Sequence, residues 1–173
     1  MPALVTPRLR LVPVTLAAVE AVIARDRAAA EAVVGARFPE SWPNDDLIAR
    51  AFPVSIAEIR AAPDVRLWGD SLVLLRDEPR VVGSVVFHGK PADGVAEVGY
   101  GIEDDSRGKG YATEATRACV EWALGERTVE VVQATTFAWH HASITVLRRC
   151  GLAQVGVRPH EIFGEVLVFE RRR

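Results

Sequence analysis

The chain is poor in cysteine, has no long apolar run and carries no excess of positive charge. Only Cys119 and Cys150 occur among its 173 residues. They stand at no metal-ligand spacing and both fall in helical apolar patterns, so two small buried hydrophobes are expected rather than a metal site. Nowhere do about 18 apolar residues follow one another. The opening MPALVTPRLRLVPV lacks a basic stretch leading into an apolar core. Neither membrane insertion nor export is signalled, and a cytoplasmic protein without a membrane partner is expected. The 21 Lys and Arg are outnumbered by 23 Asp and Glu, for a formal net charge of -2. That leaves nothing to attract a phosphate backbone and disfavours nucleic acid as a partner. The histidines, His88, His140, His141 and His160, form no HExxH and have no evident carboxylate partner, so no metal is expected. No repeat, low-complexity tract or composition shift marks a domain boundary.

What is present suffices for one core: 173 residues with 49% hydrophobic content make a single domain over residues 1–173 the expectation. Leu9 to Val14 alternates as a strand, and Leu16 to Val34 carries apolar residues at helical spacing, with Gly35 as its stop. A loop rich in Pro, Asn and Asp leads to a second helix over Asp45 to Ala61, where Pro53 should kink or split the chain. Ser71 to Leu75, Arg80 to His88 and Val95 to Ile102 read as a three-stranded meander joined by turns at Arg76 to Pro79 and Gly89 to Gly94. The period then changes. Gly108 to Leu124 is helical, Val129 to Phe137 is β, Ala142 to Arg149 is helical, and Leu152 to Val157 and Phe163 to Glu170 are β. Such a βαβαββ order requires a crossover and at least one parallel pair in a mixed sheet. Arg171 to Arg173 reads as a solvated tail.

The chemistry concentrates in Ile102-Glu-Asp-Asp-Ser-Arg-Gly-Lys-Gly-Tyr-Ala-Thr-Glu114, where a strand ends, two glycines sit one residue apart and an amphipathic helix begins. A glycine loop at a helix N-terminus can aim several backbone N–H groups at one point, and the helix dipole adds partial positive charge there. Phosphate or pyrophosphate is the natural ligand. A Walker loop needs GxxxxGK[ST], yet Lys109 precedes the second glycine. A dinucleotide fingerprint GxGxxG started at Gly108 would need a third glycine at Thr113, and no acidic residue ends a following strand at the expected distance of about 20. The pattern [RQ]xxGx[GA] is met at every fixed position by Arg107-Gly-Lys-Gly110-Tyr-Ala112.

On these residues the sequence resembles the GNAT acyltransferase superfamily. With EVGYGIEDDSRGKGYATEA, the later HHASITVLRRCGL and the opening TPRLRLVPVT, it is similar to the branch typified by ribosomal-protein-alanine N-acetyltransferases. The resemblance touches nearly the whole chain. It implies an α/β (α+β) domain with a mixed sheet of about six to seven strands flanked by helices, splayed between the fourth and fifth of them, with CoA in the opening. Backbone N–H groups of Arg107, Gly108, Lys109, Gly110, Tyr111 and Ala112, with Thr113, would bind the pyrophosphate, and Arg107 and Lys109 would add positive charge nearby. Tyr100, Gly101 and Ile102 would present backbone groups to pantetheine. His140 stands where the family usually places an Asn, and Ser143 matches the expected pattern as a cofactor contact.

The activity implied is transfer of an acetyl group from acetyl-CoA to a primary amine, a protein N-terminus or a small-molecule amine, by direct attack in a ternary complex. Positioning and polarisation then matter more than a nucleophilic cysteine. The amine must lose a proton, and Glu97, on the strand leading into the loop, is the first candidate base. Alternation sets Glu97, Gly99 and Gly101 on one face and Val98, Tyr100 and Ile102 on the other. A backbone N–H near Ile102 could polarise the thioester carbonyl, and Ser143 or a water could return a proton to the departing thiolate. Where many family members carry a tyrosine for that task this chain has Leu147, leaving the acid unassigned. Trp42, Trp68 and Trp139 are candidate acceptor-pocket residues, and Asp45 and Asp46 could attract a cationic amine. A CoA-binding regulatory module without turnover is the alternative. Pairing of two copies is open, since no motif specifies it.

Overall fold

The computed structural model describes residues 4–40, 52–61, 68–160 and 164–173. Eight strands form one mixed sheet: β1 (Leu4–Val5), β2 (Leu9–Pro13), β3 (Asp70–Leu75), β4 (Val81–Phe87), β5 (Val95–Ile102), β6 (Val131–Thr136), β7 (Ala153–His160) and β8 (Gly164–Arg172). Their spatial order is β1-β2-β3-β4-β5-β6-β8-β7. Every pairing is antiparallel except β5 with β6. That pair is joined by the crossover helix α4 (Tyr111–Gly125), as a parallel connection requires. The count exceeds the expected six to seven strands because the two-residue β1 folds back on β2, Leu4 opposite Leu11 and Val5 opposite Arg10.

Helices cover both faces. Along β3 the run Leu72-Val73-Leu74 is buried throughout, and alternation divides it between two layers. Val73 joins Val82, Val98, Val120, Leu147 and Phe169 in the core under α4 and α5 (His141–Arg149). Leu72 and Leu74 pack with Val19, Val22 and Ala30 beneath α1 (Leu16–Ile23) and α2 (Arg27–Val34). The helix expected from Leu16 to Val34 is therefore two. Thr15 caps α1, and Arg25 takes a positive φ of 59° after its last turn. Asp26 then starts α2 by accepting the Ala29 N–H at 3.0 Å, a short acceptor offering the backbone a new start. Gly35, left-handed at φ 71°, ends α2 as expected.

The helix α3 is described over Phe52–Ala61. The part of its expected span before Phe52 lies outside the described residues, and so do Trp42, Asp45 and Asp46. The terminal arginines are not a solvated tail. Arg171 and Arg172 continue β8, Arg171 Nη1 donates to the Cys150 carbonyl at 3.0 Å, and the Arg173 N–H bonds the Glu130 carbonyl at 3.0 Å. Trp68 is a packing residue, T-shaped against Phe87 at 5.1 Å and tilted against Trp122 at 4.6 Å. Among the described residues no helix is long and apolar enough to cross a membrane.

Candidate active site

The sheet opens between β5 and β6. The two strands pair only at Val95 with Val131, Ala96 with Val132 and Glu97 with Gln133, while β5 stays on β4 from Val98 to Ile102. The His88 N–H donates to the Glu97 carbonyl and the Glu103 N–H to the Val82 carbonyl, each at 3.0 Å, so odd-numbered residues of β5 point their backbone groups at β4. By alternation those of Val98, Tyr100 and Ile102 face the edge from which β6 has parted. One wall of the opening is thus a strand edge whose amide groups recur every second residue, the spacing that suits a linear ligand carrying amides of its own.

At the end of this edge a 3-10 turn, Asp104–Ser106, leads into the glycine loop. It is fastened to β4: Arg80 Nη1 meets Asp105 Oδ2 at 2.8 Å and Arg80 Nη2 donates to the buried Ser106 hydroxyl at 3.1 Å. Gly108 and Gly110 are left-handed, at φ 75° and 82°. They delay the helix expected from Gly108 until Tyr111, with Gly110 as a cap that has no side chain to spend on the first turn. The first intrahelical bond runs from the Glu114 N–H to the Gly110 carbonyl. The N–H groups of Tyr111, Ala112 and Thr113 consequently have no partner within the helix and carry the positive end of its dipole.

These groups border a cleft of about 440 Å³ between α4 and α5. Tyr100, Gly101, Ile102, Arg107, Gly108, Gly110, Tyr111, Ala112, Thr113, His140 and Ser143 all line it. Lys109 does not: its Nζ donates to the Asp105 carbonyl at 3.1 Å and its own carbonyl accepts from Arg8. Arg107 is at the rim, paired with Asp104 at 2.7 Å and donating through Nε to the Ile102 carbonyl at 2.9 Å. His140 is the N-cap of α5 and stacks on Trp139, their ring centroids 5.6 Å apart.

Tyr100 spans the opening. Its hydroxyl lies 3.0 Å from the Ser143 carbonyl and 2.9 Å from Ser143 Oγ, joining the free edge of β5 to the first turn of α5. Burial pushes this phenol up to about 12, against the smaller opposing effect of the Ser143 hydrogen bond. Glu97 is on the other face of the sheet, outside the cleft lining, where its carboxylate accepts from Arg158 Nη2 at 3.2 Å. Leu147 is wholly buried in the core, and its side chain carries no proton to give. Both cysteines are buried as expected, and burial raises their thiols to about 12 (Cys119) and about 11 (Cys150). Trp139 is 71% exposed, stacked flat on Phe137 at 5.0 Å, and does not line the cleft.

Two sets of residues escaped sequence reasoning. Ala142, Thr145, Val146 and Arg149 line the cleft from one face of α5. Their i, i+3, i+4, i+7 spacing was a usable signal once the helix was assigned. Thr6 and Arg8, in the turn between β1 and β2, hold Glu114 and the Lys109 carbonyl from a hundred residues away, and no local pattern marks them.

A mixed sheet parted at its parallel pair, with a glycine loop starting the crossover helix beside the gap, is the arrangement that the resemblance to the GNAT acyltransferase superfamily implies. The chain belongs to the GNAT acetyltransferase family and is an acyltransferase by that membership: residues 8–153 match the family model described as the acetyltransferase (GNAT) domain. It is 31% identical over 131 residues to the uncharacterized N-acetyltransferase YjdG of Bacillus subtilis, covering 75% of this chain and 76% of that protein. Solved structures share the fold. A GNAT-family acetyltransferase from Bacillus anthracis superposes with a TM-score of 0.67 at 19% identity, over 98% of each chain. RimL, a ribosomal L7/L12 alpha-N-protein acetyltransferase in complex with coenzyme A, does so with 0.70 at 16% identity, over 97% of this chain and 96% of that one.

Proposed function

We propose that this protein transfers an acetyl group from acetyl-CoA to a primary amine, a protein N-terminus or a small-molecule amine, by direct attack within a ternary complex. The observation that carries this reading is the parting of β5 from β6 beyond Glu97 and Gln133. It brings a free strand edge, the unpaired N–H groups of α4 and the Tyr100–Ser143 pair into one cleft. In this reading the residues present fit CoA. The backbone of Tyr100 and Ile102 bonds the pantetheine amides, and the first turn of α4 with Gly108 and Gly110 takes the pyrophosphate. The thioester carbonyl then sits within the opening, where a β5 N–H can stabilise the charge that develops on its oxygen.

The acceptor approaches from the opposite face of the sheet. There Glu97, at the last paired position of β5, accepts the amine proton directly or through water. Ser143, or a water hydrogen-bonded to it, passes a proton to the departing thiolate, the serine being replenished from solvent and oriented by Tyr100, whose burial further disfavours the phenolate. No covalent enzyme intermediate is needed, and the buried, raised thiols of Cys119 and Cys150 suit none.

The test is thermal unfolding with acetyl-CoA, CoA, ATP or NADH, followed by release of free CoA thiol with a panel of amines and peptide N-termini. A ligand at about 100 times its Kd stabilises the fold by roughly 2.7 kcal/mol. A shift confined to the CoA species, with turnover on at least one amine, supports the reading. No shift with millimolar CoA, or a larger one with ATP or NADH, overturns it, and CoA binding without turnover on any acceptor removes the enzymatic part.

A further inference from the structure

The turn between β1 and β2 reaches across the molecule to the glycine loop. Thr6 Oγ1 donates to Glu114 Oε1 at 2.6 Å, and the Arg8 backbone N–H donates to the same oxygen at 2.9 Å. Arg8 Nε donates to Glu114 Oε2 at 2.6 Å, and Arg8 Nη1 to the Lys109 carbonyl at 2.9 Å. The guanidinium lies 4.8 Å from the centroid of the Tyr111 ring. A Cβ on Gly110 would come within 3.4 Å of Arg8 Nη2. One side chain therefore touches Lys109, Gly110, Tyr111 and Glu114, although it does not line the cleft itself.

Glu114 creates a problem that this arrangement solves. It stands in the first turn of α4, and a carboxylate there is drawn to the same unpaired N–H groups and the same dipole that would hold a phosphate. Left unpaired, it would occupy those donors or repel the ligand. Here both of its oxygens are taken up by Thr6 and Arg8. Burial alone would raise this carboxyl, but those hydrogen bonds outweigh it and hold the group below its ordinary value. The loop carbonyl is managed by the same residue. Drawing the Lys109 oxygen toward Arg8 keeps it out of the cleft, and the planarity of the peptide sends the Gly110 N–H the other way.

We propose that Arg8 is a positioning residue for the pyrophosphate of CoA: it holds the loop in its anion-binding shape and masks Glu114 without touching the ligand. The proposal rests on the CoA-dependent reading above. Loss of Arg8 therefore penalises ligands that carry the pyrophosphate and spares those that do not, whereas a general loss of stability would penalise both.

The experiment compares CoA with pantetheine as ligands, and acetyl-CoA with acetyl-pantetheine as donors. It uses the wild-type chain, Arg8→Ala, Arg8→Lys and the double variant Arg8→Ala/Glu114→Gln. Arg8→Ala is expected to weaken CoA binding by roughly tenfold, the loss of one charge-assisted contact, with donor KM rising more than kcat falls. Its affinity for pantetheine should stay within about twofold of wild type. Adding Glu114→Gln should recover most of the loss, because the charge that Arg8 masks is then gone. Should Arg8→Ala not fold, Arg8→Lys carries the same comparison, with a loss of roughly threefold because a single ammonium cannot reproduce the fork. CoA affinity unchanged in the Arg8 variants, a proportional loss for CoA and pantetheine, or no recovery on removing the Glu114 charge would each overturn the proposal. Wild-type protein that ignores CoA altogether overturns the acyl-transfer reading, and this proposal with it.

Discussion

The two ends of the candidate site, the cleft with its glycine loop and the region outside the cleft lining around Glu97, are built from different material. At the loop end the groups proposed to meet the ligand are backbone amides, and side chains hold that backbone in place. Arg80 pins the 3-10 turn, Arg8 with Thr6 pins the loop and Glu114, and Cys150 Sγ lies 3.5 Å from the Thr113 carbonyl. At the other end, around Glu97, the available groups are side chains with few ties among the described residues. Glu97 has one arginine partner, and Trp139 leans on Phe137 and His140 while remaining mostly exposed. A scaffold that keeps its donor site in the main chain can change its acceptor by exchanging side chains without disturbing the fold.

That division can be broken most forcefully from beneath the loop end. At Gly83, paired with Ile102, an added Cβ would lie 2.1 Å from the Gly101 carbonyl oxygen and 2.9 Å from Ile102 Cα. Gly83→Ala must therefore push β4 away from β5, the strand whose opposite edge is assigned to pantetheine. A cost of about 3 kcal/mol is expected, as for an overpacked core. For a chain of this size that lowers Tm by roughly 6–12 °C, and affinity for CoA should fall with it. A Tm within roughly 2 °C of wild type would mean that the loop end is not rigidly backed. Next in size is the acceptor end. Glu97→Gln should lower kcat/KM for the amine by roughly a hundredfold through loss of the base, while the KM for acetyl-CoA stays within about twofold of wild type. Equal losses for donor and acceptor would erase the distinction between the two ends.

The same contrast explains what was legible in the sequence. Glycines at Gly108 and Gly110 after a strand and before a helix leave few conformations open, so the loop and the crossover helix were readable from spacing, whereas the free edge of β5 was expected only from the family resemblance. The meander over β3 to β5 followed from alternation and turn residues for the same reason. Break points within polar stretches were not readable. Arg25-Asp26-Arg27 looks like an exposed helix face, and only the positive φ of Arg25 and the Asp26 cap make it a boundary. Nor could the charge count show that Arg171 lies along β8 rather than in solvent. Long-range polar contacts left no trace at all, because Arg8 and Glu114 carry no pattern that links them. The acceptor end was the least legible, since single side chains such as Trp68 can serve the core or a pocket with the same composition.

Tyr100 joins the two ends, and its removal should give the smallest but most discriminating effect. Tyr100→Phe keeps the ring against the core and loses only the two contacts to Ser143. If the pair orients Ser143 for proton return, kcat falls by roughly tenfold, the scale of one lost hydrogen bond at a reacting group, with the KM for acetyl-CoA little changed. A loss confined to that KM would instead assign the phenol to the donor site alone. The same variant has a signature in stability. The phenol has an ordinary value of 10.0 and rises to about 12 in the fold. The folded chain holds this proton more tightly than the unfolded one, so the stabilisation is fully present below pH 10 and is lost as the pH climbs toward 12. Cys119 and Cys150 act in the same direction from 9.0 upward, toward about 12 and about 11. Wild-type stability should therefore begin to fall near pH 9, and chemical denaturation at stepped pH should show Tyr100→Phe declining less steeply above pH 10 while matching it below. Parallel curves through that window would mean that the phenol is no better sheltered in the fold than in the open chain.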